Sequence, residues 1–171
     1  AQLQSVADQK RAYFQSLGGG GDAGVVGSFS YSNWSGNQGC GGGYPYCAPQ
    51  DTQVDPWGLY NRECVSYVAW ALENRFKKYV GNFSGSGNAH EWTWSAPKYS
   101  GAVRVYDPKP GDVVVLPIVP GFAPIGHVMI VESVSGDSLY VSQYNYYGTG
   151  QYSTMNIGKS GVVFLRFQDL R

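Results

Sequence analysis

The stretch Tyr60-Asn61-Arg62-Glu63-Cys64-Val65-Ser66-Tyr67-Val68-Ala69-Trp70-Ala71-Leu72 decides the reading of this chain. Val65, Val68, Ala69 and Leu72 recur at helical spacing and predict a helix with one buried stripe. Pro56 and Gly58, in Asp55-Pro56-Trp57-Gly58-Leu59-Tyr60, break the chain just ahead of it, and Asn61 is the candidate N-cap. Cys64 then falls in the first turn. There the partial positive charge of the helix N-terminus favours thiolate over a thiol whose ordinary pKa is about 8.5. A lone cysteine on an apolar stripe also reads as a small buried hydrophobe, so the rest of the sequence has to decide between the two.

Downstream, Gly126-His127-Val128-Met129-Ile130-Val131-Glu132 places a histidine at the mouth of a short apolar run. That run predicts a strand buried on both faces, entered from the turn-rich residues 119–126. A histidine so held can take a proton from a thiol and return it to a leaving group. His90, the second of two histidines, stands in a polar loop without such support and ranks below His127. In Val141-Ser142-Gln143-Tyr144-Asn145, strand alternation predicts Gln143 and Asn145 on one face, where an amide oxygen can accept the imidazole N–H. Glu132 is five residues from His127 and is predicted on the opposite face, as a solvated strand-end charge. Cysteine, histidine and amide are the parts of a thiol acyl-transfer site.

Five blocks in one order then carry a resemblance: Cys64 with Val68-Ala69-Trp70; Gly87-Asn88-Ala89 with Trp92; Pro108-Lys109-Pro110-Gly111-Asp112-Val113; Gly126-His127-Val128; and Ser142-Gln143-Tyr144-Asn145-Tyr146. Over residues 57–171 the chain resembles the CHAP domain, a family of papain-like and NlpC/P60-like peptidoglycan amidases and endopeptidases. The resemblance implies Cys64 as nucleophile and His127 as base; no cofactor or metal is expected. At the third position relatives often carry an acid, where this chain has Gln143, followed by the family's asparagine at Asn145. The implied fold is α+β and papain-like, with N-terminal helices packed on an antiparallel sheet of about five or six strands. The implied partner is peptidoglycan.

The composition fits an extracellular hydrolase. Charged residues make up 14% and the formal net charge is zero, which removes the electrostatic footprint of a nucleic-acid or anionic-membrane binder. Aromatic residues reach 15%, and Trp57, Tyr60, Trp92 and Tyr146 are the candidates to line a glycan or peptide groove, most other rings being expected in the core. Cys40 and Cys47 bracket Gly41-Gly42-Gly43-Tyr44-Pro45-Tyr46, a spacing that suits a disulfide better than a zinc site and leaves Cys64 outside the pair. A disulfide implies an oxidising compartment, hence a secreted or wall-associated protein. The start at Ala1 without methionine, signal peptide or membrane-spanning run is expected of a mature or truncated form.

Three segments are expected. Residues 1–21 read as a helix over 2–17, possible end of a coiled coil and docking element for a regulatory partner, closed by a glycine linker. Residues 22–56 form a Gly-rich arm with one strand near 25–31. Residues 57–171 hold the CHAP-like domain: the cysteine helix, a short helix near 89–92, and strands near 103–106, 112–116, 127–133, 139–144 and 162–167. Two functions fit: a cysteine peptidoglycan hydrolase, amidase or endopeptidase, and a non-catalytic wall-binding or structural module with a degenerate site.

Overall fold

The computed structural model describes residues 23–26, 28–119, 123 and 125–171. The helix and glycine linker expected over 1–21 lie outside the described residues. Among these residues eight strands form one sheet: β1 (Ala23–Val26), β2 (Phe29–Ser32), β3 (Val103–Val105), β4 (Val113–Leu116), β5 (His127–Ser135), β6 (Ser138–Tyr144), β7 (Tyr152–Ile157) and β8 (Val163–Arg166). Their order is β1-β2-β7-β6-β5-β4-β8-β3, and every pairing is antiparallel. Among the described residues, two α-helices, α1 (Cys64–Asn74) and α2 (Trp92–Ser100), accompany the sheet, with a 3-10 turn at Ala89–Glu91 leading into α2.

The α+β class and antiparallel sheet are as expected, but the sheet is wider than five or six strands. The segment read as one strand near 25–31 is a hairpin, β1 and β2, whose second strand pairs with β7. Strand β7 was not expected. Its polar residues obscure an alternation in which Ser153, Met155 and Ile157 are buried. The second helix is also longer than the sequence suggested. Pro97 and two serines argue against a helix there, yet Trp92 and Ala96 are wholly buried, and Gly101 in the left-handed region closes the helix on the carbonyls of Ala96 and Pro97.

Side-chain alternation divides the core into two layers. Val113, Val115, Val128 and Ile130 join the layer containing α1, whereas Val114, Leu116, Met129 and Val131 join Phe29, Tyr31 and Tyr146 on the other face. Helix α1 packs across β5 and β6 through Tyr67, Val68, Ala71 and Leu72, all fully buried. Burial of Val68 and Leu72 contributes about 1.5 to 3 kcal/mol each, so this stripe fixes the axis of the helix that carries Cys64.

Candidate functional site

Cys64 is the first residue of α1 and is 8% exposed. The expected N-cap is corrected here. Glu63 occupies the cap position, with extended backbone and no side-chain capping bond. Asn61, fully buried, instead organises the arm: its Oδ1 accepts from the N–H groups of Thr52 and Gln53, and its Nδ2 donates to the carbonyls of Tyr46, Ala48 and Pro49.

The arm is therefore ordered against the start of α1. Cys40 and Cys47 are joined, Cα to Cα 5.9 Å, and the enclosed Tyr44 is buried beneath the helix. Its hydroxyl lies 2.6 Å from Ser66 Oγ and accepts the Arg62 N–H at 3.0 Å, while Ser66 donates to Asp55 at 2.6 Å. Burial pushes the Tyr44 phenol up to about 12, so it remains a neutral hydroxyl. Asp55 also accepts from the N–H groups of Trp57 and Leu59, which folds the Pro56-Trp57-Gly58 segment into a tight turn. Burial raises its pKa, and these hydrogen bonds offset part of the rise.

A cleft of about 300 Å³ opens beside Cys64, lined by Tyr60, Asn88, Ile125 and the carboxylates Asp51, Glu63 and Glu91 among others. Burial raises the pKa of Asp51, and a hydrogen bond with Glu63 opposes that rise. Glu63 is held on both oxygens, by Gln50 Nε2 at 3.0 Å and by Asn145 Nδ2 at 2.8 Å. This last bond ties the N-terminus of α1 to the end of β6, the same end of the sheet at which β5 opens with His127.

His127 is fully buried, and its Nε2 is 2.8 Å from Gln143 Oε1. Gln143, equally buried, donates from Nε2 to Ser153 Oγ at 3.1 Å. The backbone ahead of His127 is pinned. Gly126 has φ 77°, and a Cβ there would stand 2.8 Å from His90 N and 2.9 Å from Leu116 O, so glycine is required. His90 donates its backbone N–H to Ile125 O at 3.1 Å, and its Nδ1 is 3.0 Å from the same carbonyl. It supports the turn that delivers His127.

Other expectations are revised. Asn145 does not share a strand face with Gln143, because β6 ends at Tyr144 and Asn145 turns to φ 60°. Its Oδ1 accepts from Gly150 N at 2.8 Å and its Nδ2 serves Glu63, so it links the β6–β7 turn to α1. Glu132 is not a solvated charge. It sits at a bulge in β5, bonded to both terminal nitrogens of Arg75 and to Ser142 Oγ. Asp112, at the end of β4 away from His127, is engaged by Arg166 and the Lys109 N–H.

Of the four groove aromatics, Tyr60 alone is exposed, at 57%, and it lines the cleft. Trp57 is buried with Nε1 donating to Glu73, Trp92 stacks on Phe83 at 4.7 Å, and Tyr146 packs beside His127 at 5.4 Å between ring centroids. These three serve packing, since large rings gain most by complete burial. The sequence reading overlooked Ser153 and Glu63. Register from β6 to β7 would have exposed the first, because Ser153 is the partner of Gln143. Adjacency to Cys64 was the only signal for the second.

No curated protein matches the chain. Among solved structures it is similar to an N-acetylmuramoyl-L-alanine amidase from Staphylococcus aureus, with 22% identity and a TM-score of 0.55 over 69% of this chain and 34% of that one. It is also similar to Ly7917, with 24% identity and a TM-score of 0.48 over 63% of this chain and 54% of that one. The chain thus spans about a third and about half of the length of these two proteins. The CHAP domain family model matches residues 54–145, more than half of the chain and the whole interval from the turn before α1 to the end of β6, and the chain belongs to the CHAP domain family.

Proposed function

We propose that this protein is a peptidoglycan hydrolase that cleaves an amide bond of the bacterial cell wall, with Cys64 as nucleophile and His127 as general base. The observation that carries the reading is the 2.8 Å contact between buried His127 and Gln143 at the sheet end where α1 begins with Cys64. Membership of the CHAP family supports it, and the S. aureus structure named an amidase is consistent with it.

The chemistry follows from these positions. An amide oxygen facing Nε2 can only accept a hydrogen bond from the ring, so Nε2 carries hydrogen and Nδ1 is the basic nitrogen. Nδ1 takes the Cys64 proton, and the thiolate attacks the substrate carbonyl carbon. The N–H groups of the first helical turn point outward and favour negative charge, which suits the Cys64 N–H to the tetrahedral oxyanion. The carbon–nitrogen bond breaks as the imidazolium returns the proton to the leaving amine. A thioester remains, and water activated by the same nitrogen hydrolyses it. Gln143 holds the imidazolium by a neutral dipole where a carboxylate would add a full charge, so the ion pair is stabilised less than in a Cys-His-acid site.

The bond cut is that of an amidase, between lactyl group and peptide, or of an endopeptidase, within stem or cross-bridge. Action outside the cell accords with the Cys40–Cys47 disulfide. Thiol alkylation at mildly acidic pH tests the reading. A Cys64 activated by His127 reacts quickly where an ordinary thiol is protonated and inert. Modification no faster than that of a simple thiol would count against the catalytic pair and favour a degenerate, wall-binding CHAP module.

A further inference from the structure

The row formed by His127, Gln143 and Ser153 carries a consequence for proton placement that rests on the hydrolase reading above. The three residues come from consecutive sheet neighbours β5, β6 and β7, and Gln143 and Ser153 are a registered pair. Their exposures are 0%, 0% and 1%. In so buried a row, each donor needs an acceptor among the neighbours.

A glutamine amide has two ends of opposite character, and either can face the imidazole. When His127 holds the proton taken from Cys64, both ring nitrogens bear hydrogen and only the oxygen end can face it. The NH₂ end must then find an acceptor on the far side, and Ser153 Oγ supplies it at 3.1 Å. A carbon at this position would leave the far end of the buried amide unpaired whichever way it faced, and Gln143 would lose the anchor that holds it against His127. We propose that Ser153 is a positioning residue of the site: its Oγ anchors the far end of the Gln143 amide, so that the orientation the protonated ring selects, oxygen toward His127, is held in the resting site, with the imidazole proton on Nε2 and the basic lone pair on Nδ1.

The protein contains an internal reference for this claim. His90 Nδ1 is 3.0 Å from the Ile125 carbonyl, which can only accept, so His90 carries its proton on Nδ1. The two histidines of the chain are therefore predicted to be opposite tautomers.

The test is long-range proton–nitrogen NMR of full-length protein labelled in histidine, recorded at alkaline pH where imidazole is neutral. His90→Gln assigns the two signals. The proposal expects His127 as the Nε2–H form and His90 as the Nδ1–H form. In Ser153→Ala, His127 should shift toward a mixture of tautomers while His90 stays unchanged, and kcat/KM on wall substrate should fall by about tenfold. Ser153→Thr and Ser153→Val differ only in a hydroxyl against a methyl. Thr should keep the wild-type tautomer and Val should lose it, which separates the hydroxyl from the effect of added volume. An Nδ1–H form of His127 in the wild type would overturn the proposal, as would identical His127 spectra in the Thr and Val variants. These spectra do not depend on turnover. A protein without hydrolase activity but with the expected tautomers would refute the proposed function and leave the role of Ser153 standing.

Discussion

His127 and Cys64 meet the same end of the sheet, yet their surroundings are held by different means. His127 stands in a row of strand neighbours whose positions follow from backbone ladders: β4, β5, β6 and β7 fix Leu116, His127, Gln143 and Ser153 by register. Cys64 stands at the tip of a helix whose axis is set by apolar packing, but whose first turn is tied by side chains from elsewhere. Tyr44 reaches in from the disulfide loop, Gln50 from the arm and Asn145 from the β6–β7 turn. The strand side is therefore expected to tolerate changes in the arm, whereas the helix side depends on them. On the proposed function, a proton acceptor needs a fixed ring orientation, which ladders supply, and a nucleophile at an open cleft needs bracing from behind, which the arm supplies.

Asn61→Ala strikes the helix side most strongly. It removes one acceptor for two arm N–H groups and one donor for three carbonyls, so unfolding free energy should drop by about 3 kcal/mol. Calorimetry should then place Tm about 10 °C lower. Hydrogen exchange should show the loss concentrated at 40–66 with β5 and β6 still protected, and uniform loss would break the contrast between the two sides.

Replacing Cys40 and Cys47 by serine should cost about 2 to 3 kcal/mol, the chain-entropy value for so short a loop. If the loop braces α1, wall lysis should fall along with stability, because Tyr44 loses its anchorage. Unchanged lysis at a temperature where the variant is folded would mean that the arm stabilises but does not position.

Next in size are the amides. Gln143 touches His127 and Asn145 touches Glu63, so Gln143→Ala should lower kcat by about ten- to a hundredfold. Asn145→Ala should lower it by only about severalfold. Gln143→Glu should retain or raise turnover, since a carboxylate stabilises imidazolium more than an amide does. A larger loss at Asn145 than at Gln143 would assign the orienting role to the helix side.

The smallest effect concerns acid stability. Burial acts to raise the Glu132 pKa, but hydrogen bonds from Arg75 and Ser142 outweigh it, and the net shift is below the usual 4.5. A depressed folded pKa means a contribution complete above the unfolded value and lost as pH falls through the folded one. Denaturant titrations should therefore show wild type losing more stability than Glu132→Gln as pH drops below 4.5. Parallel curves would show that the Arg75–Glu132 pair does not secure α1 to β5.

The contrast between the two sides also explains what the sequence disclosed. Helix α1 and strands β4, β5, β6 and β8 follow from apolar periodicity over a few residues, a local signal that survives in any context. So does the placement of Gln143 near His127. The arm gave no such signal. Residues 35–63 contain no regular element in the described structure, and their order comes from single side chains: Asp55 closes a turn on the N–H groups of Trp57 and Leu59, and Asn61 bonds to backbone as far back as Tyr46. Strand β7 was hidden because its buried face includes Ser153, whose partner is another polar residue and not the apolar core. Trp92 and Tyr146 were placed in a groove because a ring's chemistry does not reveal which side of a wall it occupies; burial against Phe83 and beside His127 does.

The central claim, amide cleavage of the cell wall through Cys64, is tested most directly by digesting purified peptidoglycan and identifying the new termini by mass spectrometry. The account predicts new amino groups without new reducing ends in the wild-type digest, and their loss by about a thousandfold or more with a folded Cys64→Ala variant. New amino groups released equally by Cys64→Ala, or new reducing ends in place of amines, would contradict it.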